Sequence, residues 1–137
     1  MWLVYAFLSA LFAAVTAVLA KVGVAGISSN LATGIRTIVI LLLTWGIVLW
    51  RGEAKDIGHI PRHSVLFLVL SGLATGLSWL CYFKALQIGK LSQVAPVDKL
   101  SVALALVLAA VFLHETMTVK EIAGGLLIIA GVVVLAS

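Results

Sequence analysis

Apolar residues fill this chain in five long runs, broken by short polar punctuation. The runs predict membrane-spanning helices at about residues 2–22, 31–50, 64–88, 93–113 and 119–136. Lys21, Gly23 and Gly26 mark the end of the first span, and Ser28, Ser29 or Asn30 can cap the second. The segment from Arg51 to His63 is the one hydrophilic loop, and Pro61 breaks any helix there. Gly89 closes the third span. Ser92 is the expected N-cap of the fourth, with Pro96 tolerated in its first turn. Thr118 followed by Glu121 gives the S/T-x-x-E pattern of a capping box at the start of the fifth. Strand-like alternation is missing, which argues against a β-barrel. The fold class is all-α integral membrane, with five transmembrane helices in one domain and short connections that make consecutive helices antiparallel.

Composition supports that class. Of 137 residues, 64% are hydrophobic and 10% charged, whereas soluble domains carry about 25% charged residues. A chain this short could not hide so much apolar surface from water. The formal charge of +4 comes from Lys and Arg scattered at span ends, which suits lipid headgroups and excludes a nucleic-acid surface. Cys81 has no second thiol to pair with and is expected to be an inert buried residue. The start lacks the basic region of a cleavable signal, so the first span is expected to remain in the mature protein, without a soluble appendage.

Two spans reach membrane-crossing length only by taking charge inside. Fourteen uncharged residues separate Arg36 from Arg51, and fourteen separate Lys99 from His114. A hydrocarbon core needs roughly 20 helical residues, so Arg36, Asp98 and Lys99 must lie below the headgroups. From starts at Asn30 and Ser92, Arg36 and Lys99 are about 9 and 10 Å inside. Lys21 and Lys84 approach the same level from the C-terminal ends of spans 1 and 3. Ionisable groups at such depth usually face a pathway or a partner. These five are therefore the expected substrate-binding or translocation residues, together with Trp79 and Tyr82, beside Phe83 on span 3. Snorkelling is the plain alternative for Lys21 and Lys84, and a structural ion pair is the alternative for Asp98. Four bases against one acid favour a ligand with a carboxylate or other anionic group. Trp2, Trp45 and Trp50 read as interface anchors. Gly72, Gly76, Gly124, Gly125 and Gly131 read as helix-packing positions. Glu115 is expected to face Lys120. No metal-ligand spacing, nucleophile–base pair or phosphate-cradling loop occurs, so no metal, cofactor or enzymatic activity is expected.

Orientation is weakly specified. The side holding the N-terminus carries Arg51, Lys55, Arg62 and Lys120, against Lys21, Lys84 and Lys90 opposite. Four against three either puts the first side in the cytoplasm or allows insertion both ways. With an odd helix count, two inverted copies would build a pseudo-symmetric ten-helix bundle of the kind transporters use. A second regularity is an offset of 63 positions relating Lys21 to Lys84, Ser29 to Ser92, Ala32 to Ala95 and Arg36 to Lys99. It suggests that the hairpins of spans 1–2 and 3–4 resemble each other.

The chain resembles the EamA domain of the drug/metabolite transporter superfamily along essentially its full length. Ala20–Lys21, Arg36, the run 82–86, Ala95-Pro96-Val97, the run 113–118 and the glycine-rich last span carry the resemblance. His114 departs from it, because the family usually has Gly-Glu where this chain has His114-Glu115. The resemblance implies one five-helix repeat of a transporter for small metabolites in a prokaryotic inner membrane. Members usually carry two inverted repeats, so it also implies an antiparallel homodimer or a second EamA-like half as partner. The lipid bilayer and a small-molecule substrate are the other expected partners. A proton-coupled cation antiporter of the small multidrug-resistance type ranks lower, since residues 2–20 hold no acid. A non-transporting assembly subunit is the alternative from another class.

Overall fold

The computed structural model describes residues 1–136. Its helices are α1 (Trp2–Gly23), α2 (Ser29–Trp50), α3 (Arg62–Ile88), α4 (Leu91–Asp98), α5 (Leu100–Phe112) and α6 (Val119–Ala136), with a 3₁₀ segment at Glu53–His59. No strand occurs among the described residues. Counting Leu91–Phe112 as one interrupted span, five helices are long and apolar enough to cross a membrane. The protein is an all-helical, multi-pass membrane protein.

Helix ends follow local chemistry. Ser28 stands in extended backbone, and its hydroxyl accepts from the Leu31 N–H at 3.2 Å. One orphan donor of α2 is thereby satisfied. At α6 the capping box forms in both directions. The Thr118 N–H donates to Glu121 Oε2 at 2.7 Å, and the Glu121 N–H donates to Thr118 Oγ1 at 3.3 Å. Span 4 departs from expectation. Its helix begins at Leu91 with Lys90 as N-cap, so Ser92 lies inside the helix and Pro96 is no longer in the first turn. Proline has no N–H for the Ser92 carbonyl and its ring crowds the preceding turn. The helix breaks just beyond, at Lys99, whose N–H turns back to the Pro96 carbonyl at 2.9 Å.

The chain divides into two compact units, Met1–Leu19 with Ile88–Ser137, and Ala20–Gln87. In the first, α6 packs against α4 and α5. Gly125 is buried there, and a Cβ added to it would lie 3.2 Å from Leu106 Cδ1. A Cβ at Gly72, Gly76, Gly124 or Gly131 would meet nothing within 4 Å. A groove of about 210 Å³ runs past Leu106, Met117, Glu121, Ile122 and Ile129. In the second unit the buried residues include Val24, Ala32, Phe83 and Leu86.

Large apolar side chains point outward along every span, while several buried ones, such as Ala32 and Ala103, are small. Lipid supplies no hydrophobic drive between helices, so close approach of small residues governs packing. Cys81 is a correction of the same origin. An apolar helix suggested burial, but Cys81 is exposed on α3, because in a membrane the apolar face is the outer one. Trp2 and Trp50 are also strongly exposed, near the ends of α1 and α2.

His114 follows the α5 C-cap with φ 53°, the left-handed region that favours glycine. This is the position where the resembled family pattern has glycine, and the backbone supplies the reason. His114→Gly would relieve about 1–2 kcal/mol of left-handed strain against about 0.4–1 kcal/mol of added unfolded-chain freedom. It is expected to raise the detergent-solubilised Tm slightly, and a lowered Tm would refute the strain. Gly125→Leu is expected to cost about 1–3 kcal/mol by overpacking against Leu106. Gly124→Leu should cost much less, and equal losses in thermal unfolding would contradict this packing.

Candidate functional site

The polar end of the Ala20–Gln87 unit is assembled by three long side chains. α1 ends near Lys21, α2 starts at Ser29, and α3 finishes at Ile88. The Lys21 ammonium donates to the Leu86 carbonyl, one of the last four of α3 that have no acceptor role inside that helix. A cation there also complements the α3 dipole. Gln87 Nε2 donates to the Ile27 carbonyl at 2.7 Å, tying the α1–α2 turn to the end of α3. Lys84 Nζ lies 3.4 Å from Gln87 Oε1.

Arg36 reaches sideways onto α3. Its guanidinium carbon is 4.4 Å from the centroid of the Trp79 ring and 5.4 Å from that of Phe83. Both distances fall within the range of a cation–π contact. Trp79 and Phe83 lie about 14 and 8 Å back from the end of α3, and Arg36 about 10 Å from the start of α2, at 1.5 Å per residue. The guanidinium therefore rests near the level of its own residue rather than reaching toward the start of α2. Tyr82 sets its ring edge-on to Phe83, with centroids 6.4 Å apart. Below the cluster, Thr33 and Thr37 hydroxyls donate to the Ser29 and Thr33 carbonyls at 2.9 and 2.8 Å. These threonines satisfy themselves on their own helix.

Asp98 and Lys99 belong to the other unit, at the α4–α5 break. They pair with each other at 3.3 Å, with side chains 36% and 56% exposed. The pair sits about 10–12 Å from the start of α4. Glu115 and Lys120, expected to face each other, form no ion pair among the described residues; Glu121 is the acid that acts near this turn, as a cap. No cluster of three or more His, Cys, Asp or Glu suited to a metal gathers among the described residues.

The structure thus brings Lys21, Arg36, Lys84, Trp79 and Tyr82 to one end of one unit. Gln87 was missed in the sequence reading. A glutamine three residues after Lys84, in the last turn of an apolar helix, was the available signal. The 63-residue offset does not carry over to local geometry. α2 runs unbroken through Arg36, whereas the helix breaks at Lys99; Lys21 binds a carbonyl, and Lys84 a side-chain amide.

Five apolar spans define a multi-pass membrane protein, in which one unit holds Arg36 against aromatic rings. The chain belongs to the EamA-like transporter family, whose model matches residues 1–137. It is 49% identical over 135 residues to a Sinorhizobium sp. protein described as an uncharacterized transporter in the cobO 3′ region. That alignment covers 98% of this chain and 96% of the relative. No solved structure matches. Family and relative together support a membrane transporter.

Lys21→Met is expected to free the end of α3, at a cost of about 1–2 kcal/mol for a lost charged hydrogen bond. Amide exchange should accelerate over the last turn of α3 and stay unchanged in α6. Unchanged protection at the end of α3 would show that Lys21 does not hold it.

Proposed function

We propose that the chain is a secondary transporter, an exporter or facilitator of small anionic or amino-acid-like metabolites. It works as an antiparallel homodimer by alternating access in a prokaryotic inner membrane. The observation that carries this reading is the Asp98–Lys99 pair, which lies well inside its span yet stays more than one-third exposed in the single chain. A charged residue facing hydrocarbon at the bilayer centre costs about 2.5–3.5 kcal/mol even on insertion scales. Two adjacent ones at a helix break call for a second protein surface or a watered cavity. Irregular backbone in the membrane is tolerated under the same two conditions.

A second copy of the chain supplies both. The nearly balanced loop charge supports insertion in both directions. Opposed copies would place one polar end on each side of a central cavity, which suits alternating access. The majority of bases over acids among the intramembrane groups supports an anionic cargo.

Two measurements test this. Purified protein in liposomes should move members of a small-metabolite panel, and Lys99→Ala should reduce that flux by about tenfold or more. A protein that moves nothing would be an assembly subunit instead. Paired C-terminal reporters, one active only inside the cell and one only outside, should both report. Activity of a single reporter would exclude the antiparallel pair.

A further inference from the structure

Of the three cations at the end of the Ala20–Gln87 unit, Lys21 donates to Leu86 and Lys84 to Gln87, while Arg36 has only rings beside it. An aromatic face engages the plane of a guanidinium and leaves its N–H edge untouched. Among the described residues, Arg36 is hydrogen-bonded to no acceptor. The acids of its unit are Glu53 and Asp56, both beyond the far end of α2, about 20 Å away along the helix, and Glu53 is paired with Arg51 at 2.8 Å. Arg36 thus stands against two rings, with Tyr82 as a further electrostatic neighbour, and is paired with no acid among the described residues.

We propose that Arg36, laid against Trp79 and Phe83, is a carboxylate receptor, and that the transported molecule is a monocarboxylate or amino-acid-like compound gripped through two N–H donors of Arg36. This rests on the transporter reading above and narrows its substrate class. A carboxylate is planar and monoanionic, and its two oxygens match the guanidinium fork. A carboxylate arriving at Arg36 would meet the Trp79 and Phe83 rings beside it. A flat or apolar body behind that carboxylate would extend along the same aromatic wall. A lysine at this position would offer a point charge without the fork, and therefore less selection for carboxylates. Donors left unmade in a poorly hydrated site are costly, and a ligand that completes them binds where water is scarce.

The test is equilibrium binding to the purified chain in zwitterionic nanodiscs. The probes are benzoate, lactate and phenylalanine, each beside its partner without the carboxylate: benzyl alcohol, ethanol and phenethylamine. At least one acid is expected to bind saturably, and at least about tenfold tighter than its partner. Arg36→Lys should weaken that binding by about ten- to hundredfold, and Arg36→Gln should abolish it, with helical circular dichroism and elution profile unchanged. Binding of phenethylamine in preference to the acids would overturn the proposal, because the rings would then be a cation site that Arg36 merely occupies. That comparison needs no variant, so a misfolded Arg36→Gln would not protect the idea. Absence of binding by all three acids would also overturn it. Liposome flux separates the two readings: transport of neutral or cationic solutes unaffected by Arg36→Lys sinks the receptor alone, whereas carboxylate binding without any flux sinks the transporter reading and leaves the receptor standing.

Discussion

Hydrocarbon offers the peptide backbone no hydrogen-bond partner, so every N–H and C=O carried into the membrane must be satisfied within protein. That constraint makes the chain helical, and it also explains where its polar side chains go. Few of them decorate the middle of a span. Lys21 and Gln87 answer carbonyls at Leu86 and Ile27, and the Thr118–Glu121 box answers donors at the start of α6. Thr33, Thr37 and Thr75 return their hydroxyls to their own helices. Where proline removes a donor, at Pro96, the ladder fails three residues later, and an acid–base pair, Asp98 with Lys99, gathers at the break. Backbone accounting and charge placement are here the same problem.

The five spans were readable because lipid reverses the usual burial rule and leaves apolar runs nearly pure. The caps at Ser28 and Thr118 were readable for a local reason: each depends on side chains three residues from the backbone they serve. The placement of Cys81 was misjudged by importing the logic of a soluble core, in which an apolar neighbourhood means an interior one. The start of span 4 was set two residues late, because Ser92 is a better cap by composition than Lys90, and the early start is what turned Pro96 into a helix breaker. Among the site residues, Arg36 was singled out by depth alone. Its partners were not derivable, since nothing in one sequence says which residues of α3 stand at the level of residue 36. Gln87 was missed because its role depends on a turn 60 positions away.

Arg36 and Lys99 show how similar spacing can end in different chemistry. Each follows a serine by seven positions and lies about one-third of the way into its span. Arg36 has a planar head that can lie on a ring, and unbroken helix around it to hold its Cα. Lys99 has a compact ammonium beside an aspartate and a proline-weakened helix. One position presents a rigid, oriented cation. The other presents a self-neutralised pair at a point where the backbone can bend.

The difference bears on how a transporter holds and releases cargo. Placing an arginine at the middle of a span costs about 2.5–3.5 kcal/mol, and a desolvated cation–π contact returns about 2 kcal/mol or more. Two rings at 4.4 and 5.4 Å therefore offset part of the cost of holding Arg36 inside its span without neutralising its charge. A carboxylate partner within the chain would offset it as well, but it would also occupy the N–H edge and compete with every incoming anion. Aromatic support is indifferent to whether the edge is filled. On the proposed reading, such a site can be stable when empty and still accept an anion. Conduction through any selective pathway needs binding strong enough to admit the cargo and weak enough to let it go. On the proposed reading, a guanidinium supported by rings and paired with no acid would satisfy both conditions with one residue.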